Sequence, residues 1–303
     1  MESGVIDIDA VAGGFDLQST LESGQSYLWW REDGRDYEDD QQYGGDARYL
    51  TTTRSDGSPT VIRVWQTDGQ LHWVSTIDAD AVVRNRLRLE DNLPEIQAAT
   101  PDDDLLDEAF DTYRGMRLVR DPPFGALISF ICSAQMHVTR IHGMQQSLRN
   151  AFGTPVEFDG ETYHAYPTPE QLSSATEAEL RDLSLGYRAP YVQRTAEMVA
   201  TGEADPSDAR DFPYEEAREA LTEFVGVGDK VADCVLLFSL DYLEAVPLDT
   251  WIRKTIAEYY PDCDRGNYTE TSRAIRNQLG GEYAGYAQTY VFHYLRNHRS
   301  ADV

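Results

Sequence analysis

The hydrophobic pattern changes period near residue 104, from the alternation of strands to the three-and-four spacing of helices. A chain with that switch has to place a sheet first and pack helices after it. In the first hundred residues Asp33-Gly34, Asp56-Gly57 and Asp68-Gly69 are dipeptides suited to the left-handed corners of hairpins. Tyr49–Arg54, Val61–Trp65 and Leu71–Ser75 carry the β-branched and aromatic residues of strands, which predicts an antiparallel sheet. The acidic run Thr100-Pro101-Asp102-Asp103-Asp104 predicts a helix start or a junction. Beyond it, Asp121-Pro122 predicts an N-cap with proline at the first helical position. Phe124–Ala134 is apolar nearly all round, so that helix is expected inside the core. Val138, Ile141, Met144, Leu148 and Phe152 follow at helical spacing and Gly153 stops them. Thr168 with Gln171, and Thr176 with Glu179, fit capping boxes, and Pro190 and Pro213 open two more helices. No internal repeat interrupts the pattern. The predicted fold is α+β: an N-terminal antiparallel β-sheet domain over 1–108, then a mostly α-helical region over 109–303.

Charge restricts the partners. Lys+Arg number 26 against 53 Asp+Glu, a net −27 over 303 residues. Duplex phosphates select for Lys and Arg, so this balance disfavours an ordinary nucleic-acid binder. It suits a cytosol of very high salt, where at about 1 M the Debye length shrinks to roughly 3 Å and an acidic surface serves solubility. The three cysteines, Cys132, Cys234 and Cys263, form no CxxC and cannot supply a four-cysteine cluster or zinc site. They imply no disulfide framework, which fits a reducing cytoplasm. Met1-Glu2-Ser3-Gly4 lacks the basic and apolar regions of a secretory signal, and no apolar run suggests a membrane span. The histidines show no HExxH spacing, which argues against a metallohydrolase.

The segment Phe224-Val225-Gly226-Val227-Gly228-Asp229-Lys230-Val231-Ala232 is the most informative motif. Gly226 and Gly228 lie between an amphipathic helix (Ala217, Leu221, Phe224) and an apolar one (Val231, Cys234, Val235, Phe238). Glycines there permit positive φ and close approach of a ligand to the backbone. Free N–H groups at the start of the second helix would make an anion site suited to a DNA phosphate. This is a helix-hairpin-helix pattern over 214–240, a device that grips backbone without reading sequence. A glycine C-cap between two packed helices explains the same GxG with no ligand. Lys230 and Asp249, 19 residues apart, shift the balance. In the first turn of its helix Lys230 meets an unfavourable dipole, and with partial burial this predicts a lowered pKa and an available amine. Asp249 is expected to cap a helix over Thr250–Tyr259 and can still face a positive charge growing on a sugar.

Several blocks in order resemble the eukaryotic-type 8-oxoguanine DNA glycosylases of the helix-hairpin-helix superfamily. They are Ser23-Gly24-Gln25-Ser26, Ser129-Phe130-Ile131-Cys132-Ser133, Leu185-Gly186-Tyr187-Arg188-Ala189, Gly226–Cys234, Val246–Asp249 and Tyr283-Ala284-Gly285-Tyr286-Ala287-Gln288. The resemblance implies removal of an oxidised purine from double-stranded DNA, with strand nicking by β-elimination and no metal or organic cofactor. It implies Lys230 as Schiff-base nucleophile and Asp249 as catalytic aspartate. Gly24 matches the carbonyl that accepts the N7–H found only on the oxidised base; normal guanine has a bare acceptor at that nitrogen. Cys234 and Phe292 match the two residues that sandwich the flipped base, and Gln288 the one that reads its edge. Arg140 and Arg188 match arginines that hold the orphaned cytosine, and Tyr187 a wedge beside the lesion.

The chain departs from the family pattern in places. Gln135-Met136-His137 stands where asparagines are usual, so Gln135 is expected to fill the vacated stack and His137 to approach phosphate. Val225 replaces a common proline and Trp251 a histidine, which bears on opposite-base preference and lyase strength. Two other readings use fewer of these residues. A monofunctional alkylpurine glycosylase needs only the aspartate, and a non-catalytic DNA-binding protein needs only the hairpin. The enzyme is expected to act as a monomer, away from membranes.

Overall fold

The computed structural model describes residues 1–38, 47–55 and 57–299, and it sets a sheet before the helices as predicted, although the run of helices begins at Asp80 rather than near 104. The main sheet joins β1 (Glu2–Asp7), β2 (Trp29–Arg31), β3 (Arg48–Ser55), β4 (Ser58–Thr67) and β5 (Gln70–Ser75). All neighbours are antiparallel, in the order β1-β5-β4-β3-β2. Asp68 and Gly69 turn β4 into β5 with φ of 49° and 73°, the two left-handed corners that a two-residue hairpin requires. Gly34 also has positive φ, in the loop after β2; Asp56 lies outside the described residues. The sheet is interrupted by α1 (Leu17–Glu22), a buried turn capped by Asp16, whose side chain accepts from the Ser19 N–H at 2.8 Å.

Helices α2 (Asp80–Arg86), α3 (Leu93–Ala98) and α4 (Asp104–Thr112) lead out of the sheet, with Asp103 capping α4 as the acidic run suggests. The core helix α5 (Pro123–Ser133) is buried from Gly125 to its last residue. It packs against α6 (Val138–Phe152) and, further along, α9 (Ala189–Thr201) and α11 (Asp229–Ser239). Between α6 and α9 come α7 (Pro169–Ser173) and α8 (Glu177–Asp182), both opened by complete capping boxes at Thr168 and Thr176. The rest is α10 (Tyr214–Leu221), α12 (Thr250–Tyr259), α13 (Tyr268–Gln278) and α14 (Ala284–Arg299). Among the described residues no helix is long and apolar enough to cross a membrane.

Two elements differ from the sequence pattern. A hairpin, β6 (Thr154–Phe158) and β7 (Glu161–Ala165), stands inside the helical region and turns through Asp159-Gly160, at φ of 54° and 82°. It covers part of the first sheet: Phe158 packs with Leu50 and Val61, while Arg63 lies 5.0 Å over the Phe158 ring and 2.8 Å from the Asp159 carboxylate. Asp121 does not cap α5. Pro122 takes that place without a side-chain bond, and the Asp121 carboxylate turns inward. It accepts from Arg86 at 2.5 Å and from the Ser26 hydroxyl at 2.5 Å, while its backbone N–H and C=O bond Phe238 and Ser239 at the end of α11. Burial decides this. A charge 2% exposed needs a cation and more than one hydrogen bond, and an N-cap would supply only the second.

The consequence is measurable by urea unfolding. Asp121→Ala leaves the Arg86 guanidinium buried without its carboxylate and is expected to cost about 3–5 kcal/mol. Asp80→Ala breaks the Arg84–Asp80 pair, whose side chains are 37% and 43% exposed, and is expected to cost under about 1 kcal/mol. Equal losses would show that the junction is not held by the buried pair.

Candidate active site

The hairpin between α10 and α11 forms because Val225–Gly228 cannot continue either helix. Gly226 takes φ of +86°, and a Cβ there would stand 2.7 Å from the Tyr191 ring. Both the conformation and the space demand glycine. Gly228 differs from the sequence expectation. Its φ of −108° and ψ of 178° are ordinary extended values, and a Cβ on it meets nothing within 4 Å. Gly228 is the N-cap of α11 and no side chain caps that helix, so its first peptide N–H groups face open space.

In the first turn of α11, Lys230 lines a cavity of about 1240 Å³ bordered by α5, α11, α12, α14 and the loop after α1. The Lys230 Nζ donates to the Ser133 hydroxyl at 3.4 Å and lies 5.8 Å from the centre of the Phe130 ring. Cys234, one turn further along α11, is 4% exposed and faces the same space. Asp249 caps α12 as expected, accepting from the Ile252 N–H at 2.8 Å, and its carboxylate borders the cavity. Gln288 and Phe292 arrive from α14, four residues apart and so on one face. The Gln288 side chain is 6% exposed and its Oε1 has no partner among the described residues. A buried acceptor left open at a cavity wall is costly unless something enters to donate to it. Gly24 closes the far side at φ +85°, a value that leaves its neighbours Phe292 and Arg296 within reach of any added Cβ.

The electrostatics correct one expectation. Burial pulls the Lys230 pKa down, but Cys234, Tyr27 and Asp249 together outweigh it, so the ammonium is held above its ordinary range rather than below. Burial pushes the Cys234 thiol up to about 11, against the pull of Lys230, so at neutral pH it is a thiol. Burial also raises Asp249, opposed by the Ile252 N–H and by Lys230. The site at rest is a protonated lysine near a half-buried carboxylate.

The remaining sequence candidates fall into two groups. Gln135, His137, Gly226 and Gly228 border the same cavity. Gln135 is exposed in a left-handed turn at φ +53°, and the exposed His137 ring lies 3.0 Å from the Thr139 hydroxyl. Arg140, Tyr187 and Arg188 do not line it. Arg140 is exposed on α6, and Tyr187 is 51% exposed with the Arg188 guanidinium 4.3 Å from its ring. Arg188 itself is buried and donates to the Ala134 carbonyl beside Gln135. Sequence reasoning passed over Arg296, Phe130 and Tyr27, which also line the cavity. Arg296 had a signal: with Gln288 and Phe292 it repeats every fourth residue along α14.

Residues 128–279, half the chain and most of the cavity's framework, match the model of the HhH-GPD superfamily base excision DNA repair proteins. The chain belongs to that superfamily. Its relatives include the probable N-glycosylase/DNA lyase of Methanothermobacter thermautotrophicus, 31% identical over 94% of this chain and 94% of the relative. The N-glycosylase/DNA lyase of Saccharomyces cerevisiae is 30% identical over 91% of this chain and 82% of its own. Among solved structures, Clostridium acetobutylicum 8-oxoguanine glycosylase/lyase bound to double-stranded DNA with cytosine opposite 8-oxoguanine superimposes with a TM-score of 0.81. It is 27% identical, covering 94% of this chain and 93% of that one. This HhH-GPD chain is a DNA glycosylase with lyase chemistry, as these relatives are named.

The two kinds of glycine give a test by chemical denaturation. Gly24→Ala puts a side chain at φ +85° and is expected to cost about 1–2 kcal/mol. Gly228→Ala has ordinary dihedrals and empty space, and is expected to stay within about 0.5 kcal/mol of the parent. A large loss at Gly228 would mean that its backbone is under constraint after all.

Proposed function

We propose that this protein excises 8-oxoguanine from duplex DNA and then nicks the strand, with Lys230 as nucleophile. The observation that carries the reading is the convergence of Lys230, Cys234, Asp249, Gln288, Phe292 and Gly24 on one cavity. The damaged nucleotide leaves the stack, and its base slides between the Cys234 and Phe292 side chains. The open Oε1 of Gln288 takes a donor from the base edge, and the Gly24 carbonyl takes the N7–H of the oxidised purine. Asp249 stabilises positive charge on the sugar as the glycosidic bond lengthens. The neutral Lys230 amine forms a bond to C1′ while the glycosidic electron pair leaves with the base. Ring opening gives an imine, and loss of a C2′ proton expels the 3′ phosphate. The uncapped start of α11 and Gly226 hold backbone phosphate, with His137 nearby. Gln135 fills the gap in the duplex, Tyr187 wedges beside it, and Arg140 and Arg188 hold the unpaired base. We assign the protein to the cytoplasm, where its three free thiols suit a reducing compartment, and expect it to act as a monomer.

The deciding experiment is borohydride trapping on a duplex with one 8-oxoguanine opposite cytosine, at low and at molar salt, beside Lys230→Gln. A covalent complex with the parent alone is the expected result. Base release without trapping by either would make the enzyme monofunctional, with Asp249 carrying the chemistry. Neither product would move the alkylated-base reading ahead.

The raised Lys230 pKa adds a sign. Below that pKa the free amine increases about tenfold per pH unit, so the initial trapping rate on a preformed abasic site is expected to climb between pH 7 and 9. A flat profile would mean that a group in the bound complex takes the proton before attack.

A further inference from the structure

Asp233 is a carboxylate that neither base recognition nor imine chemistry uses, yet it sits between the two residues that do. It lies on α11 three positions after Lys230 and next to Cys234, and it is 0% exposed. Both oxygens are taken by tyrosine hydroxyls: Tyr214 donates to Oδ1 at 2.7 Å and Tyr268 to Oδ2 at 2.7 Å. Arg218 stands 3.9 Å from Oδ2. The hydroxyl of Tyr268 also accepts, from the Leu248 N–H at 3.1 Å, and Leu248 immediately precedes Asp249.

The stretch 246–249 belongs to no helix or strand, so its peptide groups need partners elsewhere. A hydroxyl that gives its proton to a carboxylate carries more negative charge on its oxygen and becomes a better acceptor. The pair therefore holds the Leu248 N–H more firmly than a lone tyrosine would. We propose that Asp233 and Tyr268 are positioning residues for Asp249, a hydrogen-bonded strut from the helix that carries Lys230 to the backbone that presents the carboxylate. It sets the separation of the two reacting groups before DNA binds. This rests on the reading of Asp249 as the group that stabilises the sugar. Tyr214 serves as an internal control, since it binds the other oxygen and then lies 3.5 Å from Ser272 on α13 rather than on the Asp249 segment.

The experiment measures single-turnover release of 8-oxoguanine and equilibrium binding of the same duplex for the parent, Tyr268→Phe and Tyr214→Phe. Both variants lose one hydroxyl on Asp233, so both are expected to lower Tm, Tyr268→Phe by more because it also leaves the buried Leu248 N–H without its acceptor. Tyr268→Phe is expected to slow base release at least tenfold, toward the hundredfold that a misplacement of about 1 Å costs, with duplex affinity within about twofold of the parent. Tyr214→Phe is expected to keep the rate within about threefold. Equal rate losses in the two, or a full rate in Tyr268→Phe, would overturn the strut. Should Tyr268→Phe not fold, Asp233→Asn read in the same assay decides: a parental rate overturns it, and a slowed rate at parental affinity supports it. A parent that binds and releases nothing would instead overturn the proposed function, and the strut with it.

Discussion

Asp121 lies where the strands, α2 and the end of α11 meet, and every hydrogen bond it makes crosses that junction. A buried carboxylate tolerates no loose geometry, because each lost partner leaves an uncompensated charge in a medium of low dielectric. The Ser26 bond is the consequential one. Ser26 closes the Ser23–Ser26 loop, and Gln25 beside it is 0% exposed, spending its amide on the Thr20 and Arg117 carbonyls and on the Val119 N–H. Gly24 is thus fixed from both sides by residues whose own positions are set by burial. The wall of the cavity is placed by the junction of sheet and helices rather than by the cavity itself.

Buried and half-buried arginines extend the same logic around the site. Arg117 is fully buried and divides its guanidinium among the carbonyls of Ala12, Gly14, Arg88 and Asp91. Arg149 donates to the Leu28 carbonyl at 3.0 Å and stacks 4.6 Å from the Trp30 ring. Arg296 donates to the Glu22 carbonyl at 2.7 Å, with the Phe292 ring 5.4 Å away, and Arg188 grips the Ala134 carbonyl. Each ties together segments that are far apart in the chain. Lysine could not substitute, since only the planar fork serves several carbonyls from one buried head and still stacks on an aromatic face. In a chain so short of cations, Arg117 and Arg149 are committed to structure, not to a basic surface.

Lys230 is treated differently. Its hydrogen bond to the Ser133 hydroxyl is long, 3.4 Å, and it shares its surroundings with the Cys234 thiol and the Asp249 carboxylate. An ammonium that the resting site stabilises must be deprotonated to react, which couples the chemistry to whatever the bound DNA and its leaving base bring.

Local chemistry decided much of this in advance. The strands at 48–55, 58–67 and 70–75, the capping boxes at Thr168 and Thr176, the core helix after Pro122 and the cap at Asp249 are consequences of side chains within a few residues of one another. The GxG hairpin and Lys230 were legible for the same reason, and the order of motif blocks pointed to the family. What the sequence could not carry depends on residues far apart in the chain. Asp121 read as a cap until Arg86 and Ser26 offered it more, and Gly228 read as a left-handed glycine although only Gly226 needs to be one. The Lys230 shift draws on Cys234, one turn along its own helix, but also on Tyr27 and Asp249, which no local window contains. The Asp233–Tyr268–Leu248 chain exists only once distant segments are packed together, whereas the β6–β7 hairpin is local and its Asp159-Gly160 turn was there to be read. The sequence by itself determined the elements, their caps and the chemical types at the site. Tertiary structure decided which buried polar group meets which, because desolvation makes those choices steep and only the assembled core removes the water.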